Sequence, residues 1–140
     1  EGRSLQALLA EIAETASDLA CAERPEDRNI GLGLEAACQA ADQSAAWLQD
    51  QHRDDPPTAF AGAADFLQIL GDLTGGWLMG KELLAARKLL EHSPDDADFL
   101  EQKIRSAQFY VANFLTVLPA RAQGMINSAP LTAATAVEDI

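Results

Sequence analysis

Two histidines, two cysteines and 22 carboxylates are the residues of this 140-residue chain with reactive chemistry to offer. Helical bundles that hold metals project glutamates and Glu-x-x-His pairs inward from facing helices. Here His52 and His92 each fall at the C-terminal end of a predicted helix, and Glu91 adjoins His92 instead of preceding it by three. A histidine at that end interacts favourably with the helix dipole, which is a structural role. A phosphotransfer histidine would stand mid-helix among basic residues, whereas His52 is followed by Arg-Asp-Asp-Pro-Pro. The spacing predicts neither a metal centre nor a phosphorelay site.

Nucleophiles fare no better. Cys21 and Cys38 lie seventeen residues apart, on separate predicted helices, and form neither a CxxC pair nor a metal spacing. Glu35 and Asp42 share a helix face with Cys38, where negative charge raises a thiol pKa. Ser44 has no base near it in sequence, and the pairs Asp54/Asp55 and Asp95/Asp96 sit where helices begin, as caps do. Gly31-Leu-Gly33 and Gly75-Gly76 follow no strand and match no phosphate-binding fingerprint. No residue of this chain is assigned a catalytic, cofactor-binding or metal-binding role. Trp47, Trp77, Phe109 and Tyr110 read as core or interface anchors.

The elements that carry these residues are helices. Leu5, Leu8, Ile12, Ala16 and Leu19 form one stripe of a helix from about Ser4 to Ala22, and Arg24-Pro-Glu-Asp27 turns the chain. A second helix, about Asp27 to His52, shows Ile30, Leu34, Ala37, Ala41, Ser44/Ala45 and Leu48. Asp54-Asp-Pro-Pro57 ends it and starts a third, extending to Glu91, with Phe60, Ala63, Leu67, Leu70, Thr74, Trp77 and Leu84 facing inward. Glycines 71, 75, 76 and 80 interrupt that helix at about 1 kcal/mol each, so close contact with a neighbour or a kink is expected. Ser93-Pro-Asp-Asp96 opens a fourth helix that runs to Leu118 and weakly on to Met125, its apolar residues recurring at 99/100, 104, 107, 110/111, 114/115 and 118. From Asn127 the periodicity is lost. The expectation is all-α: an up-down-up-down four-helix bundle over residues 1–127 with a C-terminal tail at 128–140.

Composition agrees. Hydrophobic residues make up 48% but aromatics only 6%, with abundant alanine, which favours close-packed helices over strands. A formal charge of −12 with ten basic residues excludes nucleic acid, whose phosphates need clustered Lys and Arg. No apolar run approaches the roughly 18–20 residues that span a bilayer. Free thiols and the absence of a basic-then-apolar start predict a cytoplasmic setting. The chain opens on Glu1 without an initiator methionine, as expected of a piece of a longer polypeptide.

Phe66-Leu-Gln-Ile-Leu-Gly-Asp-Leu-Thr-Gly-Gly-Trp-Leu-Met-Gly-Lys81 followed by Phe99 to Pro119 resembles the acetyl-CoA-dehydrogenase-like C-terminal domain of bacterial acyl-CoA dehydrogenases, those similar to 3-methylmercaptopropionyl-CoA dehydrogenase. Gly76-Trp77, Phe99, Lys103, Ala107, Phe109, Tyr110, Leu118 and Pro119 occupy the family's positions, and the likeness spans roughly residues 2–125. Gln108 departs from it, standing where relatives often carry arginine, which puts in question any ion pair made there. The resemblance implies a non-catalytic domain of an FAD-dependent enzyme that oxidises acyl-CoA thioesters, with the FAD, the substrate pocket and the catalytic carboxylate upstream of Glu1. It implies packing against the catalytic domains of the same protein or a neighbouring subunit, with Trp77, Phe99, Lys103, Phe109 and Tyr110 as packing or interface residues. The alternative is a stand-alone helical interaction module.

Overall fold

A computed structural model of the chain describes residues 3–92 and 94–138. Helix α1 covers Arg3–Ala20, α2 Pro25–Asp54, α3 Pro56–Leu90, α4 Ala97–Tyr110 and α5 Leu118–Glu138. A 3-10 turn at Pro94–Asp96 precedes α4, and a π turn at Val111–Leu115 joins α4 to α5 without leaving helical backbone. The last two helices are thus one rod with a widened turn, and the described residues form a four-helix bundle.

Cross-helix pairs give the directions. Gln6 meets Asp42, Asp27 meets Arg87, Lys103 meets Glu82 and Arg121 meets Asp72, so each rod runs antiparallel to the next. Proline sets two helix starts. Pro25 and Pro56 stand in the first turns of α2 and α3, where a missing N–H costs nothing. The Asp55 carboxylate accepts the hydroxyl of buried Thr58 at 2.8 Å, not a backbone amide as the capping reading expects. Ser93, expected as the cap of the fourth helix, lies outside the described residues.

The core is aliphatic and built on small residues. Ile12, Leu19, Leu34, Ile69, Leu73, Leu83, Ile104, Leu115, Leu118 and Met125 are fully enclosed. Helices α1 and α2 touch backbone to backbone at Gly31, where a Cβ would lie 2.7 Å from the Ala16 carbonyl oxygen. Gly31-Leu-Gly33 therefore serves helix packing.

Two expectations need correction. In α3 the buried line is Ala59, Gly62, Ile69, Leu73, Gly76, Gly80, Leu83 and Ala86, while Phe60 and Leu67, expected inside, are 70% and 72% exposed. Apolar residues occupy both sides of this helix, so periodicity selects the ridge of large side chains. The side wedged between neighbours is the one small enough to receive them: Leu115 packs over Gly76 and Tyr110 over Gly75. The C-terminal residues from 128 to 138 are likewise not an irregular tail; they continue α5, with Ala129 and Ala133 turned inward. Alanines four apart among serine and threonine give too weak an apolar stripe to stand out, yet alanine is the best helix former.

The π turn has a local cause. Pro119 offers no N–H and its ring crowds the carbonyl four residues back. Just before it the ladder opens: the Thr116 N–H and hydroxyl both donate to the Val111 carbonyl, at 3.2 and 3.1 Å.

Candidate functional site

The polar groups inside the bundle are fully engaged with one another. Arg87, from the end of α3, donates through Nε and Nη2 to the two oxygens of Asp27 near the start of α2, both at 2.9 Å. Asp27 raises the Arg87 pKa through these bonds, against the opposing effect of burial. Asp72, mid-α3, accepts Gln68 Nε2 at 2.9 Å and Arg121 Nη1 at 3.1 Å, while its backbone carbonyl accepts the Tyr110 hydroxyl at 3.2 Å. Among the described residues no buried side-chain nitrogen or oxygen lacks a partner. Such pairs act as structural staples between helices.

Cys38 is buried and donates toward the Leu9 carbonyl at 3.5 Å. Burial, then Asp42, then Glu35 push its thiol pKa up, so it stays protonated and inert. His52 occupies the last turn of α2, and His92 Nδ1 lies 2.9 Å from the Lys88 carbonyl; the two do not meet in one site. Among the described residues no group of three or more His, Cys, Asp or Glu is placed to hold a metal ion, and no helix is long and apolar enough to cross a membrane.

A dinucleotide flavin does not fit the groove of about 580 Å³ beside Ala64 and Phe114. It is open and lined by Asp65 and Asp72, and its one cation, Arg121, is already paired with Asp72, so a pyrophosphate would face net negative charge. No Gly-rich turn opens a helix there to receive phosphate oxygens.

Part of the exposed surface is apolar. Between α3 and α4 an open groove of about 410 Å³ is lined by Met79, Arg105, Ser106, Phe109, Tyr110 and Phe114. Phe109 is 64% exposed and Phe114 42%. The Tyr110 and Phe114 rings lie 4.7 Å apart, and Phe114 continues into the neighbouring groove beside Ala64 and Gln68. Leu67 and Leu78 add exposed apolar surface on α3.

The five residues singled out in the sequence divide into two sets. Trp77 is half-buried toward α1, its Nε1 donating to Thr15 Oγ1 at 2.9 Å, with Lys81 Nζ 4.7 Å from its ring. Tyr110 is half-buried against α3, where burial, then Asp72, raises its pKa. Phe99 and Phe109 point outward; Lys103 Nζ stands 5.4 Å from the Phe99 ring and pairs with Glu82 at 2.9 Å. Only Phe109 and Tyr110 of the five line the α3/α4 groove, and Phe109 is not a core anchor. Met79 carries no signal of its own in the sequence, and Arg105, four residues after Glu101 and so spaced to pair with it on the helix surface, makes no ion pair among the described residues. Phe114 falls on the apolar stripe when counted along the chain, and the π turn leaves Leu115 as the inward residue instead.

A segment of 61 residues is 39% identical to 3-methylmercaptopropionyl-CoA dehydrogenase of Ruegeria pomeroyi, covering 44% of this chain and 10% of that protein. No solved structure matches the chain. The family model described as acetyl-CoA dehydrogenase C-terminal like matches residues 8–135, nearly the whole bundle. The chain belongs to the acetyl-CoA dehydrogenase C-terminal-like family.

Proposed function

We propose that this chain is the non-catalytic C-terminal domain of a cytoplasmic, FAD-dependent acyl-CoA dehydrogenase of fatty acid metabolism, and that it packs on the catalytic body or on a neighbouring subunit. The observation that carries this reading is the family match across residues 8–135, joined to a bundle whose interior polar groups are already paired. The flavin, the acyl-CoA pocket and the catalytic base belong to the rest of the protein in this reading. The bundle contributes a rigid body with an apolar face, and covering that face removes from water aromatic surface worth about 25 cal/mol per Å².

Sequencing the gene upstream of Glu1 and expressing its full product tests the proposal. The expected full product is longer, shows flavin absorbance and oxidises acyl-CoA with an electron acceptor, while the 140-residue chain alone does neither. An open reading frame whose start codon lies immediately before Glu1 would overturn the proposal in favour of a stand-alone interaction module. Flavin or metal bound to the isolated chain would overturn its non-catalytic part.

A further inference from the structure

The contiguous aliphatic core ends before the last rod does. It takes in Leu118, Ala122 and Met125 of α5, with Ile126 packed against it, but neither Ala129 nor Ala133, although both are buried. Every other residue from Asn127 to Thr135 is exposed, Leu131 to 70%. This stretch offers the bundle two methyl groups.

Polar contacts do not make up the difference. Arg121 ties the rod to Asp72 of α3, and beyond it the side-chain hydrogen bonds of the described residues stay within α5: Gln123 to Asn127, Thr132 to the Ser128 carbonyl and Thr135 to the Leu131 carbonyl. Threonine hydroxyls bonded four residues back weaken and bend a helix. Pro130 adds a break, since it has no N–H for the Ile126 carbonyl and its ring crowds that oxygen. The weakest point of the ladder coincides with the edge of the core.

We propose that α5 beyond Ile126 is a strap that opens and closes as one unit, hinged between Asn127 and Pro130, while Leu118 to Met125 stay locked in the bundle. Closed, it lies against its neighbours through Ala129 and Ala133. With α5 antiparallel to α3, Arg121 paired with Asp72 and Met125 against Gly62, the strap closes toward the start of α3. Segments with few buried apolar contacts open locally without global unfolding. Opening uncovers the end of the bundle, and whatever binds either freed surface draws the equilibrium toward the open state by its preference for that state.

Amide hydrogen exchange of the 140-residue chain, resolved to single residues by NMR, tests this. The expected result is a step in protection. After correction for intrinsic rates, Leu131 to Thr135 should exchange within about threefold of one another, about 100-fold faster than Met125 and about tenfold slower than unfolded peptide. Low concentrations of urea should speed exchange at Met125 and leave Leu131 to Thr135 within about twofold, because opening the strap exposes little surface. Pro130→Ala, which restores the missing N–H, should slow exchange at Leu131 to Thr135 at least about tenfold. Protection that falls smoothly from Ile126 toward Thr135 is end fraying and overturns the single unit. Rates and urea dependence equal to those of Met125 overturn the proposal by making the strap part of the cooperative core, and the rates of unfolded peptide overturn its closed state. Exchange unchanged by Pro130→Ala overturns the hinge.

Discussion

Arg87 holds Asp27 by two parallel hydrogen bonds of 2.9 Å, sixty residues apart in sequence, and so clamps the end of α3 to the start of α2. Asp27 is 4% exposed, so removing it strands a guanidinium whose side chain is only 16% exposed. Asp27→Ala is expected to cost about 3 kcal/mol, at the lower end of buried-pair losses because Arg87 retains some water and Glu26 at 3.8 Å. The double variant Asp27→Ala/Arg87→Met should be less destabilised than the sum of the two singles. Urea midpoints of the four proteins measure both quantities; strict additivity would show that the two residues do not act as a pair.

Phe109 and Leu115 make opposite predictions on one rod. Phe109→Ala should shift stability by less than about 0.5 kcal/mol, since its ring stands largely in water. Leu115→Ala empties the space over Gly76 and should cost about 2–5 kcal/mol. Thermal unfolding of the two variants compares them directly, and a large loss for Phe109→Ala would place its ring in the core.

Gly31 and Gly71 separate close packing from backbone freedom. Alanine at 71 meets nothing within 4 Å and should stabilise α3 by up to about 1 kcal/mol. Alanine at 31 gains the same propensity but collides with the α1 backbone, and should be destabilising by about 1–3 kcal/mol net. Chemical denaturation of both variants gives the signs; equal stabilisation would rule out the close α1/α2 approach.

Alkaline pH should weaken the fold. The Cys38 thiol, whose ordinary value is 9.0, and the Tyr110 phenol, whose ordinary value is 10.0, both have raised pKa values in the bundle. Between the unfolded and folded values the native state holds more protons than the unfolded one, so unfolding becomes easier as pH rises. The contribution is complete below about pH 8 and is lost progressively above pH 9. Unfolding free energy measured from pH 7 to 10.5 should bend downward, and Cys38→Ala with Tyr110→Phe should flatten the bend.

Much of this architecture is legible in the sequence because the signals are local. Pro25 and Pro56 mark helix starts, and the stripe from Ile30 to Ala45 fixes the face of α2. The face of α3 is not legible, since apolar residues surround that helix and only its neighbours show that Gly62, Gly76 and Gly80 face inward. Asp27 with Arg87, and Asp72 with Arg121, are long-range pairs whose partners lie 60 and 49 residues away, beyond any local pattern. The groove joins Met79 to Phe109 and Phe114 for the same reason, and only the aromatic members could be suspected from residue type.

The π turn at Val111–Leu115 makes the last rod tolerant to a change of length. A π turn is one residue inserted into an α-helix, so deleting Asn113 together with Pro119→Ala should return the segment to ordinary helix and leave Leu118, Ala122 and Met125 facing the core. Deleting one residue anywhere else in the rod, Gln102 for instance, would turn everything downstream by about 100° and expose that face. Helical content and unfolding midpoint should survive the first deletion and collapse with the second, which makes residues 111–115 the place where relatives of different length can differ by one residue without refitting the bundle.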